Sequence, residues 1–192
     1  MKTLTPAKLA LVLALILALS LALPATAGTL AGVTLPDKAD VDGKSLTLNG
    51  MGLRKKFVIK VYVGGLYLPQ KEKAPAKILG ADVPRRMVLH FLYDVNKEQM
   101  CEAWNEGLEA NTPNASAEVK KNFDTLCAWM DGVGEGQKLV MTYVPGTGTT
   151  VEVGGKSKGT LAGKATADAI LSTWIGKTPG PGEDFKKAVL GN

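Results

Sequence analysis

Apolar and polar positions alternate over short segments of the chain, and a helical spacing replaces that alternation in between. Short runs that alternate or are rich in β-branched and aromatic residues are typical of strands. The predicted strands are residues 45–48, 57–68, 85–93, 138–144, 149–153 and 156–161. The last three are joined by Pro145-Gly146 and Gly154-Gly155, which predicts a β-meander.

Helical spacing appears where the strand pattern stops. Asn96 and Gln99 form a capping-box pattern ahead of a helix that extends to about Ala110, and a second helix over 116–131 is expected to stop at Gly132. Further helices are predicted over 71–80 (or a loop), 166–175 and 183–190. Strands and helices are partly segregated, so the expected fold class is α+β.

The first 27 residues have the pattern of a secretory signal peptide. Lys2 and Lys8 precede an apolar run over 9–23, and Ala25-Thr26-Ala27 is a small-x-small cleavage site. The run is shorter than the roughly 20 residues of a spanning helix, so a retained anchor is disfavoured. We expect a mature domain of residues 28–192, located in the periplasm or secreted.

The charge of the mature chain gives little indication of a partner. Without Lys2 and Lys8 the formal charge falls from +5 to +3, and the basic residues are spread along the chain. This pattern does not predict a nucleic-acid partner. One histidine, His90, and two cysteines on separate helices are a poor metal set, so no metal and no cofactor are expected.

Cys101 and Cys127 are candidates for a disulfide in an oxidising compartment. Each lies 13 residues from residue 114 in the loop of the predicted helical hairpin, so they sit at the same level of the two helices. The alternative is a pair of separate buried thiols, because spacing alone does not fix the rotation of each helix.

Residues 49–68 carry the most suggestive chemistry. Asn49 to Gly52 is expected to be a glycine turn that delivers Arg54 to the start of the strand containing Tyr62 and Tyr67. An arginine fork beside phenol hydroxyls on an apolar surface suits a carboxylate with a hydrophobic tail. The plainer alternative is a solvated arginine and two core tyrosines. Gly64-Gly65 in the strand predicts a bulge or a close approach.

Four motifs in order resemble the chalcone isomerase-like family, in particular its bacterial exported branch. They are the Gly-x-Gly-x-Arg segment at 50–54 with the strand that follows, Trp104-Asn105-Glu106-Gly107, Tyr143-Val144-Pro145-Gly146-Thr147-Gly148, and Ala169-Ile170-Leu171-Ser172-Thr173-Trp174-Ile175-Gly176. The resemblance implies one curved antiparallel sheet with a layer of helices on one face, an open-faced β-sandwich.

The resemblance also implies a site. It places Arg54, Asn105 and Thr173 at polar positions of the plant isomerases, with Tyr62 replacing a threonine. Cys101 stands where those enzymes have a lysine, so the polar set of the isomerase is incomplete. In the fatty-acid-binding branch an arginine and a strand tyrosine hold the carboxylate, which here implies Arg54 with Tyr62 or Tyr67.

We therefore expect an exported, non-catalytic binder of a fatty acid or similar small amphipathic acid. The tail is expected between sheet and helices, against Trp104, Phe123 or Trp174, although core packing also explains the two tryptophans. Two alternatives remain open: an isomerase, that is an intramolecular lyase, acting on an unsaturated carbonyl compound, and an envelope adaptor with a vestigial pocket.

Overall fold

The computed structural model describes residues 27–192, so the predicted signal peptide of residues 1–27 lies outside that range except for Ala27. Within this range, nine strands form a two-stranded hairpin, β1-β2, and a seven-stranded antiparallel sheet in the order β3-β4-β5-β6-β7-β8-β9. The strands are β1 (Ala27–Leu30), β2 (Val33–Pro36), β3 (Lys38–Val41), β4 (Lys44–Lys56), β5 (Ile59–Leu68), β6 (Arg85–Phe91), β7 (Lys138–Val144), β8 (Gly148–Val153) and β9 (Lys156–Leu161).

Helices cover one face of this curved sheet, as the sequence predicted. The main core lies between β5–β8 and the helices, and it contains residues such as Leu66, Met87 and Phe123. The helices are α1 (Pro75–Gly80), α2 (Lys97–Asn111), α3 (Ala117–Trp129), α4 (Lys164–Ile175) and α5 (Glu183–Val189). Within the described part of the chain, no helix combines the length and hydrophobicity needed to cross a bilayer.

A second, smaller core occupies the opposite face under the β1-β2 hairpin. Val33 and Leu35 of β2 pack there with Val63 and Tyr67 of β5. The β1-β2 hairpin, which precedes the first strand predicted from the sequence, is therefore a structural element that covers part of the other face. Because side chains alternate along a strand, β5 presents Leu66 and its even-numbered neighbours to the helices, and its odd-numbered side chains to the hairpin.

The predicted turn over 49–52 is wrong. Strand β4 runs through these residues with a register shift between Leu48 and Gly50, and the chain reverses later, at Phe57 and Val58. The glycines serve a different purpose, because helix α5 lies directly on the strand. A Cβ atom at Gly50 would be 2.2 Å from the carbonyl oxygen of Ala188.

Glycine is needed in the same way at two further positions below α5. The ring of Phe185 would be 2.8 Å from a Cβ at Gly52 and 2.5 Å from one at Gly64. Asn49 ties the end of α5 to the strand, since its side-chain amide donates to the carbonyl oxygens of Val189 at 2.9 Å and Glu72 at 3.0 Å. The close approach predicted from Gly64-Gly65 is present.

Helices α2 and α3 form the expected helical hairpin. Asn96 and Gln99 make a reciprocal capping box at the start of α2, and Ser116 caps α3. Helix α3 ends at Trp129, ahead of the predicted stop at Gly132. Cys101 and Cys127 are joined by a disulfide in the structure, with Cα atoms 5.0 Å apart.

We expect Gly50→Ala to destabilise the protein by about 1–3 kcal/mol, because the new methyl group would meet backbone atoms of α5 that have no room to move. Gly80→Ala is the matched control, since that position has open space around it. Urea denaturation of both variants measures the difference. Equal free energies of unfolding for Gly50→Ala and the wild type would contradict the seating of α5 on β4.

Alkylation under denaturing, non-reducing conditions should find no reactive thiol in the oxidised protein. The cysteines are separated by 26 residues, and closing a loop of that size adds about 3 kcal/mol in the chain-entropy model. The double variant Cys101→Ser/Cys127→Ser should lose stability of that order. Two alkylated cysteines in the untreated protein would show that the bond does not form.

Candidate functional site

Arg54 and Tyr62 form a cross-strand pair on the helix face of the sheet. They lie directly opposite each other in the β4–β5 register, next to a register shift between Arg54 and Lys55. Directly opposed residues have Cβ atoms about 5 Å apart. Both side chains are half-buried, so the pair sits at the edge of the main core, near the hairpin end of the sheet.

The phenol of Tyr62 is held by three aromatic side chains. Its hydroxyl accepts a hydrogen bond from Trp174 Nε1 at 3.2 Å. Its ring lies 5.4 Å from that of Phe91 and edge-on to that of Phe185 at 5.7 Å. Within residues 27–192 the hydroxyl proton of Tyr62 has no acceptor, so it is available to an incoming oxygen atom.

Burial raises the pKa of Tyr62 to about 12, although the hydrogen bond from Trp174 and the positive charge of Arg54 act in the opposite direction. The hydroxyl therefore remains protonated at neutral pH and remains a donor. Protonation also keeps the phenol from forming an ion pair with Arg54, whose charge is left for another anion.

Arg54 itself makes no hydrogen bond and no ion pair with any side chain of the described range. A guanidinium group has five N–H donors in a planar fork that matches a carboxylate. The structure thus places an unpaired fork beside an unsatisfied phenol O–H. The two residues are cross-strand partners, and the charge of Arg54 acts on the phenol of Tyr62, so both donors can serve one carboxylate.

Tyr67 does not belong to this arrangement. It lies on the opposite face of the sheet, where its hydroxyl donates to the carbonyl oxygen of Pro36 at 2.8 Å. It lies five positions after Tyr62, and an odd difference in position along a strand places two side chains on opposite faces. Tyr67 therefore holds the β1-β2 hairpin, and burial raises its pKa to about 12.

Asn105 and Thr173 are also not brought to Arg54. Asn105 is exposed on α2. Thr173 is buried, but its hydroxyl donates to the carbonyl oxygen of Ile170 in its own helix at 2.8 Å. Its methyl group packs against α2, where a Cβ at Gly107 would approach it to 2.8 Å. Thr173 therefore serves the packing of α4 on α2, and Asn105 faces solvent.

Trp174, predicted as a tail contact or a core residue, proves to be the partner of Tyr62. Its ring also meets that of Trp104 edge-on at 5.3 Å, and Trp104 packs in turn on Phe123 at 6.4 Å. The buried Nε1 of Trp104 has no acceptor among the described residues. The three expected tail contacts thus form one continuous aromatic cluster behind Tyr62.

A small cavity lies between this cluster and the sheet. Its volume is about 20 Å³, and Leu66 and Met141 of the sheet face Trp174 of α4 across it. Arg85 and Tyr143 also line it, whereas Arg54 and Tyr62 do not. That volume holds roughly one water molecule, whereas sites for drug-sized ligands measure about 300–1,000 Å³. Helix α4 is therefore closed onto the sheet in this conformation.

Arg85 forms a second polar cluster that the sequence did not indicate. It is buried, and its guanidinium donates to the carboxylate of Asp168 and to the carbonyl oxygen of Ile78. It also lies 4.9 Å from the ring centre of Tyr143, while Lys164 contacts Asp168 at 2.6 Å. These charges are paired, so the cluster joins α1, α4 and the sheet and does not present a free anion site.

One more depression lies at the loops around the Val95–Val133 bridge. It is an open groove of about 490 Å³, lined by polar side chains that include Asp131 and Lys158, which pair with each other. No cluster of three or more potential metal-ligating side chains occurs in the part of the chain that the structure covers. The groove lies apart from the aromatic cluster.

Comparison with known proteins supports the fold. The family model described as chalcone isomerase-like matches residues 27–191. Among solved structures, that of a fatty-acid binding protein of Arabidopsis thaliana is similar, with a TM-score of 0.67 and 17% identity over 86% of this chain and 96% of that one. No curated protein sequence matches. Since the family model covers nearly all of the described residues, the chain belongs to the chalcone isomerase-like family.

Proposed function

We propose that this protein binds a small amphipathic carboxylate, such as a fatty acid, without converting it. The observation that carries the proposal is Arg54, a half-buried residue whose guanidinium has no partner within the described residues and which pairs across the strands with Tyr62, whose O–H is free. A charge left unpaired at the edge of an apolar core is costly unless a ligand or water solvates it.

The two donors match the acceptors of a carboxylate. The guanidinium fork takes both oxygen atoms, and the phenol donates a further hydrogen bond to one of them. A tyrosine is protonated at neutral pH, and burial, which raises the pKa of Tyr62 to about 12, extends this to alkaline pH. Hydrogen bonds to charged groups contribute about 1.5–3 kcal/mol each.

The ligand's tail would extend from this anchor between the sheet and α4, past Trp174 and toward Met87 and Met141. The present volume of about 20 Å³ requires α4 or its side chains to move outward when a tail enters. Methionine side chains adapt readily to such changes. The solved fatty-acid binding protein with the same fold supports this choice of ligand class.

Export to the periplasm or the outside is part of the same proposal. It rests on the signal-peptide pattern of residues 1–27 and on a disulfide in the helical hairpin, since disulfides persist in oxidising compartments.

The small cavity favours a second candidate, the envelope adaptor with a vestigial pocket. Under that hypothesis the core stays closed, and Arg54 contacts only solvent. The isomerase alternative gains no comparable support, because Asn105 is exposed and Thr173 bonds to its own helix. A ligand titration separates the binder from the adaptor.

Isothermal titration with dodecanoate below its micelle concentration should show saturable binding to the wild-type protein. Arg54→Ala should weaken it about tenfold or more, through loss of a charge-assisted bond, and Tyr62→Phe should weaken it less. The opposite face offers matched controls, because Arg86 stands directly opposite Tyr67 there.

Arg86→Ala and Tyr67→Phe should leave the affinity unchanged. No heat of binding with the wild-type protein would favour the adaptor. Equal losses for Arg54→Ala and Arg86→Ala would remove Arg54 from the site.

Ring closure of a chalcone, followed by absorbance, should not exceed the uncatalysed rate. The position where the plant enzymes have a lysine is occupied by Cys101, which is held in a disulfide, so the polar set that would stabilise an enolate is incomplete. Protein-dependent closure that disappears in Arg54→Ala would promote the isomerase instead.

A further inference from the structure

The tip of the β4–β5 hairpin exposes apolar side chains to solvent. Lys56 pairs with Ile59, so Phe57 and Val58 form a two-residue loop. Phe57 is 92% exposed, Val58 93% and Ile59 42%. Large apolar side chains exposed together at a protruding turn are uncommon on a soluble surface and mark a contact site.

Turn chemistry does not account for the phenylalanine. Phe57 has a φ of +56°, a conformation in which two-residue hairpin loops favour glycine, asparagine or aspartate. The chain thus places a bulky aromatic residue where the backbone disfavours it and where no other part of the described structure covers it. Contact with a partner would explain both features.

The hairpin is also purely basic. Residues 44–68 contain five lysine or arginine residues and no acidic one. Lys55, Lys56 and Lys60 flank the tip, are exposed, and form no ion pair with other residues of the 27–192 range. The surface that best complements such a tip is apolar inside and negatively charged outside.

We propose that this hairpin tip inserts into the interface of a bilayer that contains anionic lipids. Phe57 and Val58 would enter the region between headgroups and acyl chains, and the lysines would contact the lipid phosphates. A protein partner is less well matched, since a stable protein interface buries about 800 Å² per side. Two residues at a narrow turn offer much less, whereas a bilayer needs no complementary shape.

The dimensions agree with this placement. Strand residues rise about 3.3 Å each, so Lys55 and Lys56 lie within about 10 Å of the tip, at headgroup level. Tyr93, which is 51% exposed, lies near the same end of the sheet, because the N–H of Leu92 donates to the carbonyl oxygen of Val61. Tyrosine is enriched at membrane interfaces.

Arg54 lies three residues from Phe57 on the same hairpin. Vesicle binding by the tip does not depend on the proposed ligand site, but the next step does. Docking of the tip brings that site close to the lipid headgroups. An amphipathic acid leaving the membrane would then meet the guanidinium first.

The test is flotation of the expected mature protein, residues 28–192, with vesicles of phosphatidylcholine, with or without a fraction of phosphatidylglycerol. The wild-type protein should float with the anionic vesicles, less so at high salt. Phe57→Gly/Val58→Ser should reduce the affinity about tenfold or more. This variant has favourable turn residues, so it should fold at least as well as the wild type.

Removing the lysine charges tests the electrostatic part of the proposed membrane contact. Lys55→Gln/Lys56→Gln/Lys60→Gln should lower the affinity for anionic vesicles roughly a hundredfold. Two matched controls lie at the far end of the sheet: Lys44→Gln/Lys71→Gln/Lys73→Gln, and the exposed apolar Val83→Ser. Both should bind vesicles like the wild type.

Insertion is distinguished from surface attraction by Phe57→Trp. Its fluorescence should shift to the blue on vesicle addition and be quenched by brominated acyl chains, more strongly than that of the wild type. Vesicle binding that the tip variant leaves unchanged, or no binding at all, would overturn the proposal. So would a self-association of the wild type that Phe57→Gly/Val58→Ser abolishes, because the tip would then be a protein contact.

Discussion

Helix α5 rests directly on the backbone of the long strand β4, and the candidate site depends on that contact. Only glycine at positions 50, 52 and 64 leaves room for it. The contact fixes Phe185 over the strands, where its ring forms one wall around Tyr62. Trp174 of α4 completes the enclosure and supplies the hydrogen bond to the phenol. Without α5 on the strand, Tyr62 would lose the wall that Phe185 provides.

Arg54 and Arg85 both lie on the helix side of the sheet, but only Arg85 has partners among the described residues. Arg85 is buried, and its guanidinium donates to the carboxylate of Asp168, which neutralises its charge, and to the carbonyl oxygen of Ile78. Arg54 is less buried and has no acceptor among the described residues, so its N–H donors remain available to a ligand. A ligand carboxylate would neutralise the charge of Arg54 as the carboxylate of Asp168 neutralises that of Arg85. The exposed basic hairpin extends the same positive surface from Arg54 to the tip.

Local signals predicted the elements that they control. The capping box at Asn96, the hairpin glycines at 154 and 155, and the stop of α4 near Gly176 all lie where the sequence placed them. The helix layer on one face of a curved sheet followed from the family resemblance. These features depend on neighbours in the sequence or on a shared motif order.

The sequence did not predict the features that depend on tertiary contacts. An Asn-Gly-x-Gly segment is typical of a turn, but in β4 it accommodates a helix that arrives from the far end of the chain. The rotation of α4, which aims Trp174 rather than Thr173 at Tyr62, cannot be read from its apolar pattern because the helix is buried nearly all round. Strand alternation alone is enough to predict that Tyr62 and Tyr67 lie on opposite faces of the sheet.

The account rests on the location of the bound carboxylate, and an isotope-filtered NOE experiment measures that location directly. Dodecanoate labelled with ¹³C at the carbon next to the carboxylate would be added to the unlabelled protein. We predict contacts from that methylene group to the ring protons of Tyr62 and Trp174. Contacts to Tyr143 beside Arg85, or to Tyr67 on the opposite face, would contradict the site.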